Sequence, residues 1–471
     1  MLTIADLFDA LTGTRPQDAG MVITDAVIDS RRAIPGAIFF AIPGQYLDGH
    51  NFVEAAFRNG ASVAIIEHAI TTDHPVYDLQ QGQVYTEIKE SDQAICLLVP
   101  NTVAALQQIA AYWRRKLNVR VVGITGSVGK STTKEVIAEV LAQRYRTLKN
   151  EGNFNNEIGL PLTILRLSEA YEFAVLEMGF YVEGEITLLC DISLPSMGVI
   201  SNVGTVHAER AGSQEKIARG KSELVQSLPK DGVAVLNHDD PWVRWMATQT
   251  SARVFWYGLT SEADLWADEI TGLGLEGVRF HLHYQDETLE VSIPMIGRHS
   301  VQTALRAAAV GLLVGLSWQE IMDGLHGNHT QLRLVAVRTD RGALILDDTY
   351  NATPESTLAA LNLLGELDGR RIAVLGDMLE LGQYEQQGHI EVGQRAAEVV
   401  SQLVTVGSRA RIIAETAQSA GLPNRRIIQL ENSEDAILYL RKQLSKNDVV
   451  LVKGSRSMQM DKIVGALEAR S

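Results

Sequence analysis

The stretch VRVVGITGSVGKSTT, residues 119–133, decides the fold of this chain, because it combines a strand, a glycine turn and the start of a helix. The apolar run from Val119 to Ile124 is typical of a buried parallel strand. Two glycines interrupt the run, and from Thr133 to Arg144 the apolar residues return at helical spacing. Strand, turn and helix in this order form the repeating unit of a parallel α/β sheet.

The glycine turn has the composition of a phosphate-binding loop. A glycine loop before a helix directs several backbone N–H groups at one point, where the helix dipole also favours an anion. Lys130 can reach the outer phosphates of a nucleotide, and the Ser131 hydroxyl is placed to bind magnesium. Ile124 replaces the first glycine of the full Walker spacing, so this is a shorter TGxxGKS variant. An ordinary glycine turn is the alternative. We predict nucleoside triphosphate binding by Thr125, Gly126, Ser127, Gly129, Lys130, Ser131 and Thr132.

Composition limits the possible functions. The length of 471 residues suggests roughly two to four domains. The formal net charge of −15 argues against a nucleic-acid surface, since phosphate neutralisation needs clustered Lys and Arg. Cys96 and Cys190 both lie in apolar runs, which indicates inert core thiols and no disulfide framework. The N-terminus lacks the features of a signal peptide, and no apolar run reaches transmembrane length. We therefore expect a cytoplasmic protein without a membrane span.

The pattern of strands and helices divides the chain into three regions. Residues 1–100 read as a small α/β domain, with a possible linker from Pro100. Residues 101–330 contain the phosphate loop among βαβ units, and residues 264–294 alternate as a β-hairpin insertion. Residues 331–471 read as a Rossmann-like layered sheet without the dinucleotide fingerprint. The predicted fold class is α/β with three domains, the central one a P-loop parallel-sheet domain.

Polar residues near strand ends are candidate partners of the loop. Glu177 ends the strand AVLEMG and His207 follows another strand end, where ligands of open α/β sheets collect. A strand-end glutamate can equally be a solvated residue, and a lone histidine is more often structural. Lys221 lies in the helical segment EKIARGKSELV, and its spacing alone predicts a surface lysine.

Further candidates lie in one loop and at three later strand ends. The loop GNFNN, residues 152–156, carries amides that can bind substrate groups without adding charge, or simply cap a turn. In the third region, polar clusters follow three predicted strands of one sheet. A purely structural sheet would rarely carry such clusters at three strand ends, so we predict a site there. The clusters are LDDTYN (346–351), GDMLELG (376–382) and KGSRS (453–457).

Together these motifs resemble the ATP-dependent Mur ligase family of peptidoglycan synthesis, over nearly the whole chain and most closely its members that add D-Ala-D-Ala. Each motif is weak alone, but in this order they are highly specific. The DNPR-type motif of the diamino-acid-adding ligases is not seen. The matching segments are DSRR (29–32), DGHNF (48–52), TGSVGKST (125–132), GNFNNEIGLP (152–161), LEMG (176–179), GTVHAE (204–209), DDTYNATPES (347–356), GDMLELG (376–382) and VKGSRS (452–457).

The resemblance implies a monomeric enzyme that uses ATP and Mg²⁺ on two small-molecule substrates. ATP would phosphorylate the terminal carboxylate of a UDP-linked muramoyl tripeptide, and the amine of D-Ala-D-Ala would displace phosphate from the acyl phosphate. The first domain would bind the UDP-muramoyl peptide, the central domain ATP, and the third domain ATP and the incoming dipeptide. Domain closure would then assemble the site.

The resemblance also assigns roles to individual residues. Ser131 and Glu177 would bind one magnesium ion, and His207 would help to hold a second. Lys221 occupies a position that the family carbamylates, which would make it an anionic metal ligand and reverses the interpretation from spacing. The implied catalytic residues are Lys130, Glu177, His207 and Lys221. Nucleotide contacts beyond the loop would come from His299, Arg333 and Asp347. Substrate contacts would come from Ser30, Arg31, Asp48, Gly49, His50, Asn153, Asn155, Asn156, Tyr350 and Asn351.

Two departures and two rival functions remain open at this stage. Ser300 and Thr303 stand where the family usually carries asparagines, which leaves the mode of adenine recognition open. One rival is a sister ligase, of another muramoyl-peptide type or of the folylpolyglutamate type. The other is a non-catalytic nucleotide-binding regulator on the same fold, which would be expected to lose Lys130, Glu177 or Lys221. All three residues are present.

Overall fold

The computed structural model describes residues 1–17, 19–80, 83, 85–88, 94–205, 208–327 and 335–469. Within these residues the named strands form three sheets that follow one another along the chain, of five, nine and six strands. Helices alternate with the strands in each part. The predicted class, α/β with three domains and parallel sheets, is confirmed, while the exact domain boundaries stay a prediction.

The first sheet is parallel throughout, in the order β1-β2-β3-β5-β4. Its strands are β1 (Ala26–Val27), β2 (Ile38–Phe40), β3 (Val63–Ile66), β4 (Val76–Asp78) and β5 (Ile95–Leu98). The accompanying helices are α1 (Ile4–Thr12) and α2 (Val53–Arg58), with 3₁₀ turns at Ser30–Arg32 and Gly49–Phe52. The sequence predicts strands at residues 22–28, 37–41, 63–66 and 95–99 and a helix at residues 52–59. The last three strands and the helix are confirmed to within one residue at each end, as β2, β3, β5 and α2, whereas only two residues of the first predicted strand form β1.

The expected linker after Pro100 is instead a helix, α3 (Thr102–Arg115). Asn101 caps it by accepting a hydrogen bond from the Ala104 N–H at 2.8 Å. Leu106, Ile109 and Trp113 are buried in an apolar core that continues from the first sheet into the central domain. This helix therefore joins the two domains through a shared core. For that reason the prediction of a linker after Pro100 is wrong.

The central sheet has the order β14-β13-β12-β11-β10-β9-β6-β8-β7. Its strands are β6 (Arg120–Thr125), β7 (Thr147–Lys149), β8 (Phe173–Glu177), β9 (Met197–Ile200), β10 (Val233–Asn237), β11 (Arg253–Gly258), β12 (Leu265–Gly272), β13 (Val278–Tyr284) and β14 (Glu287–Ile293). β13 pairs antiparallel with both β12 and β14, so the predicted hairpin within residues 264–294 is present and extends the parallel sheet. The helices are α4 (Lys130–Ala142), α5 (Gly159–Leu165), α6 (Glu185–Ser193), α7 (Ala208–Ala211), α8 (Gln214–Gln226), α9 (Pro241–Met246), α10 (Ser300–Leu313) and α11 (Trp318–Leu325).

The third sheet has the order β15-β16-β20-β17-β18-β19 and is parallel except for β15. Its strands are β15 (Val335–Arg338), β16 (Leu344–Asp348), β17 (Arg370–Gly376), β18 (Gln402–Val406), β19 (Ile427–Leu430) and β20 (Asp448–Lys453). The helices are α12 (Pro354–Glu366), α13 (Glu385–Val399), α14 (Arg411–Ser419), α15 (Ser433–Gln443) and α16 (Asp461–Leu467). The three polar clusters predicted for one edge follow β16, β17 and β20, which are neighbours in the sheet.

Both cysteines lie in the core, as their apolar surroundings predict. Cys96 and Cys190 are buried free thiols, and burial raises the pKa of each to about 12. Among the helices of the described residues, none combines the length and the apolar composition that a membrane crossing requires.

Candidate active site

The glycine loop lies between β6 and α4 as the sequence predicts. Gly126 and Gly129 have φ of +146° and +84°, a region that disfavours side chains. Gly126 is also confined by space, since a Cβ there would lie 1.8 Å from Ser201 Oγ. Lys130 Nζ folds back and donates to the Gly126 carbonyl at 2.7 Å. The loop thus places the Lys130 ammonium at the start of α4, where the N–H groups of the helix favour an anion, and this arrangement suits phosphate.

Glu177 ends the neighbouring strand β8 and is hydrogen-bonded to the loop. Ser131 Oγ donates to Glu177 Oε2 at 2.6 Å, and Asn155 Nδ2 donates to Glu177 Oε1 at 2.8 Å. The carboxylate is only 2% exposed. A hydroxyl and a buried carboxylate beside a phosphate loop form the oxygen donor set that Mg²⁺ prefers. The predicted pairing of Ser131 with Glu177 is therefore present in the geometry.

Two buried residues that the sequence interpretation missed hold this carboxylate and the asparagine loop in place. Asn150 accepts a hydrogen bond from the Glu177 N–H at 3.0 Å and donates to the Glu177 carbonyl at 3.1 Å. Lys134 Nζ donates to the Asn150 carbonyl at 2.7 Å and to the Gly152 carbonyl at 3.3 Å. Asn150 lies two residues before the first glycine of the GNFNN loop, so a pattern confined to that loop could not find it.

The three asparagines of the loop have different positions. Asn153 and Asn155 line the cleft beside Lys130. Asn156 instead accepts hydrogen bonds from the N–H groups of Ile158 and Gly159 at the start of α5, at 3.4 and 2.9 Å. It therefore has the capping role that the sequence analysis left open for this loop.

Lys221 is buried, so the surface position predicted from its spacing on α8 is wrong. Its side chain is 1% exposed, and Nζ lies 5.0 Å from the centre of the Phe180 ring. Within the described residues it has no acidic partner. Burial and the nearby charge of Lys130 lower the pKa of Lys221 well below its ordinary value. A neutral amine is the form that can react with carbon dioxide, and the carbamylation of Lys221 stays a prediction.

The third domain contributes the ends of β16 and β20. Lys453 Nζ donates to Asp348 Oδ2 at 2.6 Å and to the Asn351 carbonyl at 2.9 Å. Asp348, Tyr350 and Asn351 line the cleft. Asp347, the residue named from the sequence, points elsewhere, and its carboxylate accepts hydrogen bonds from the Thr349 N–H and hydroxyl at 3.1 and 2.7 Å. The alternation of side chains along a strand explains why the neighbouring aspartate faces the cleft.

These groups surround one cavity of about 730 Å³ between the central and third domains. The predicted residues that line it are Ser127, Gly129, Lys130, Thr132, Asn153, Asn155, Glu177, His299, Tyr350 and Asn351. The two domains also touch directly. The Thr205 N–H donates to Glu355 Oε1 at 3.2 Å, and the Glu209 N–H donates to the Glu380 carbonyl at 3.3 Å. The structure therefore shows the two domains in contact around the cavity.

Helix α10 forms another wall of the cavity and uses its hydroxyls internally. Ser300 Oγ donates to the Ile296 carbonyl at 2.8 Å. Thr303 Oγ1 accepts a hydrogen bond from Arg306 Nη2 at 2.8 Å. Arg306 is buried and lines the cavity, and the sequence interpretation missed it because an arginine within an apolar helix carries no motif.

The residues predicted in the first domain lie on its two 3₁₀ turns, which both pack against α2. Asp29 caps one turn and pairs with Arg31, while Ser30 is buried and its carbonyl accepts a hydrogen bond from Asn59 at 2.9 Å. Arg166 connects this domain to the asparagine loop, with Nε 3.0 Å from Asp25 and Nη1 3.1 Å from Glu151.

The second turn carries Asp48, Gly49 and His50. Gly49 packs on the backbone of Ile42, where a Cβ would lie 2.7 Å from two main-chain atoms. Asp48 binds His50 Nδ1 at 2.6 Å and His68 Nε2 at 3.1 Å. Hydrogen bonds, first from the His50 N–H, lower the pKa of Asp48 to about 2. Two other predicted residues, His207 and Arg333, lie outside the described residues.

The sequence matches three families, all of them Mur ligase domains. Residues 23–114 match the Mur ligase family catalytic domain, residues 124–311 the Mur ligase middle domain, and residues 332–456 the Mur ligase glutamate ligase domain. The chain therefore belongs to the Mur ligase family.

Within that family, curated relatives of one type are similar along their whole length. The UDP-N-acetylmuramoyl-tripeptide--D-alanyl-D-alanine ligase of Bacillus subtilis is 34% identical over 98% of this chain and 97% of the relative. The enzyme of the same name from Escherichia coli is 32% identical over 99% and 98%. Solved structures agree: MurF from Acinetobacter baumannii has a TM-score of 0.83 at 30% identity, over 99% of this chain and 98% of that one. MurF ligase from Thermotoga maritima, solved in complex with ADP, has a TM-score of 0.78 at 28% identity over 97% of both chains.

Proposed function

We propose that this chain is an ATP-dependent, ADP-forming ligase that joins D-Ala-D-Ala to UDP-N-acetylmuramoyl-tripeptide and so produces the pentapeptide precursor of peptidoglycan. The observation that carries the proposal is the contact of Ser131 with Glu177 beside the phosphate loop, in a cavity whose other wall comes from the third domain. The full-length similarity to D-alanyl-D-alanine-adding ligases supports the choice of substrates.

The donor set fits a magnesium ion. Ser131 and Glu177 offer oxygen atoms only, and Asn155 holds the second carboxylate oxygen in position. We propose that Ser131 and Glu177 hold the ion, with Lys221 as a further ligand if it is carbamylated and His207 as predicted from the sequence. When bound, the ion supplies positive charge that screens the phosphates and the attacking carboxylate from each other.

The chemistry that we propose has two steps. A terminal carboxylate oxygen of the tripeptide attacks the γ-phosphorus of ATP, so that an O–P bond forms and ADP leaves. The amine of D-Ala-D-Ala then attacks the acyl carbon, the tetrahedral intermediate expels phosphate, and the amine loses a proton as the amide forms. Lys130 stabilises charge on the transferring phosphoryl group, and Asn153 and Asn155 line the place where the carboxylate and ATP meet. Contact between the domains excludes water from the acyl phosphate.

Sister ligases share the fold but are less similar. A UDP-N-acetylmuramoyl-L-alanyl-D-glutamate--2,6-diaminopimelate ligase has a TM-score of 0.51 at 19% identity, and a Mycobacterium tuberculosis folylpolyglutamate synthase has 0.61 at 15% identity over 77% of this chain. A non-catalytic regulator would have no need of the Ser131–Glu177 pair or the buried Lys221, and all three residues are in place. These observations favour the dipeptide-adding reaction.

The test is phosphate release from ATP by the full chain with UDP-muramoyl tripeptide, with and without D-Ala-D-Ala. We expect release that needs both substrates and is lost in Lys130→Ala. Release that is indifferent to D-Ala-D-Ala would point to a sister ligase, and no release would point to the non-catalytic alternative. We further propose that the enzyme is a cytoplasmic monomer. Its two unpaired, buried thiols fit a reducing compartment, and light scattering of the purified protein tests the oligomeric state.

A further inference from the structure

Arg306 is a buried cation whose hydrogen-bond partners are both neutral. Its side chain is 3% exposed, with Nη1 3.3 Å from Tyr257 Oη and Nη2 2.8 Å from Thr303 Oγ1. Burial raises the pKa of Tyr257 to about 12, so the phenol carries no charge that could balance the guanidinium. Within the described part of the chain, Nε is buried without an acceptor and no carboxylate forms an ion pair with Arg306. A buried charge left in this state is costly unless an anion is supplied.

A second buried arginine, Arg114, has the hydrogen-bond acceptors expected of a structural residue. Arg114, on α3, donates from Nε to the Ser193 carbonyl at 2.7 Å, from Nη1 to the Leu117 carbonyl at 2.9 Å and from Nη2 to the Val119 carbonyl at 2.6 Å. All three of its nitrogens are bound to oxygen atoms of the main chain. Among the residues that the structure describes, Arg306 has only two hydroxyl partners, and a structural role leaves its Nε unexplained.

The position of Arg306 indicates which anion it meets. It lines the same cavity as Gly129 and Lys130, and a Cβ built on Gly129 would lie 3.5 Å from Arg306 Nη2. The guanidinium therefore lies against the residue that immediately precedes α4, at the helix end whose N–H groups favour an anion. Planar guanidinium groups bind phosphate oxygens through paired hydrogen bonds.

We propose that Arg306 contacts the phosphate chain of the bound nucleotide as a second cation beside Lys130. Thr303 then serves to hold the guanidinium, which gives a role to one of the two hydroxyls found where the family usually carries asparagine. Tyr257 holds the other end of the group, and its hydroxyl donates to the Ile200 and Ser201 carbonyls at the end of β9. This inference rests on the nucleotide site of the proposed function and adds to it a specific phosphate contact.

The experiment compares the affinities of the full chain for ATP, ADP and adenosine, with adenosine measured by competition against ADP. Arg306→Met removes the charge but keeps much of the volume. We expect it to weaken ATP and ADP binding about 10- to 100-fold, as the loss of a charged hydrogen bond to phosphate would, and to change adenosine binding less than about twofold. Arg306→Lys keeps the charge without the planar fork, and we expect it to weaken ATP and ADP binding by at least about threefold.

Arg114→Met is the matched control, because it removes the other buried guanidinium. We expect it to lower the melting temperature without changing nucleotide affinity. Unchanged ATP and ADP affinity in either folded Arg306 variant would overturn the inference, as would an equal loss for adenosine, which would indicate a base contact. If Arg306→Met does not fold, Arg306→Lys decides by the same criteria. A wild-type chain that does not bind ATP would overturn the proposed function itself, whereas wild-type ligation together with unaffected Arg306 variants would overturn only this inference.

Discussion

Ser131 donates a hydrogen bond to Glu177 at 2.6 Å, although the two residues are 46 positions apart in the chain. The contact exists because β6 and β8 are neighbours in the parallel sheet, so the loop after β6 lies beside the carboxyl end of β8. It brings a hydroxyl and a carboxylate together at the phosphate site. The sheet order therefore creates the metal-binding arrangement.

The charge of Glu177 is the property that we expect catalysis to need. Glu177→Gln keeps the shape of the side chain and can still accept the hydrogen bond from Ser131, but it removes the anionic ligand. We expect kcat for phosphate release to fall by at least about 100-fold and the Mg²⁺ requirement to rise. Glu172→Gln, just before β8 and exposed, is the control and should keep full activity. A Glu177→Gln variant with normal turnover would contradict the assigned role.

Lys221 should require carbon dioxide for its function. Its pKa is lowered by burial and by Lys130, which favours the neutral amine, the form that can become a carbamate. We expect enzyme depleted of carbon dioxide to lose activity, to regain it with bicarbonate, and to show a carbamate signal by ¹³C NMR. Lys221→Arg cannot form the carbamate and should lose at least about 100-fold in kcat. Lys216→Arg changes an exposed lysine on the same helix and should behave as wild type. If bicarbonate does not change the activity of the depleted wild-type enzyme, carbamylation is refuted.

Gly382 should control contact between the central and third domains. A Cβ there would lie 2.9 Å from Glu209 Cα, and main chain cannot rotate away as a long side chain can. We expect Gly382→Ala to separate the domains and to reduce kcat about 10-fold or more, with a larger radius of gyration by small-angle scattering of the nucleotide complex. Gly421→Ala is the control, since Gly421 also has a positive φ but nothing within 4 Å. Equal effects of the two substitutions would show that backbone strain alone is responsible.

The sequence predicts those parts of the site that local patterns encode. The strand, loop and helix around Lys130, the strand end at Glu177 and the polar clusters after β16, β17 and β20 all follow from short-range spacing and from the rule that parallel strands share an edge. The distinction between Asp347 and Asp348 needs the orientation of the side chains in the folded strand, which the sequence pattern did not resolve.

Burial is what the sequence did not reveal. The spacing of Lys221 predicts a surface residue because helical spacing does not show what packs on the helix. In the structure the lysine is buried next to Phe180. Arg306 and Asn150 act through partners far away in the chain, such as Tyr257 and Glu177, so no local motif identifies them. The helix after Pro100 was missed because its apolar face packs on two domains at once. Apart from that helix, these errors concern contacts between elements and not the elements themselves.

His389 should make the protein less stable in mild acid. It is fully buried behind the GDMLELG loop, where Nε2 accepts the Met378 N–H at 3.2 Å and Nδ1 faces the Glu385 carbonyl at 2.7 Å. Desolvation lowers its pKa below the ordinary 6.5. The unfolded chain therefore binds a proton below about pH 6.5 that the folded protein does not, and stability is lost as the pH falls from 6.5 towards the folded pKa, by up to about 1.4 kcal/mol per pH unit. We expect the melting temperature of the wild type to drop more between pH 7.5 and 5.5 than that of His389→Gln, measured by calorimetry. His326→Gln replaces an exposed histidine and should keep the wild-type dependence of the melting temperature on pH. If the melting temperatures of the wild type and His389→Gln fall in parallel as the pH is lowered, His389 is not the titrating group.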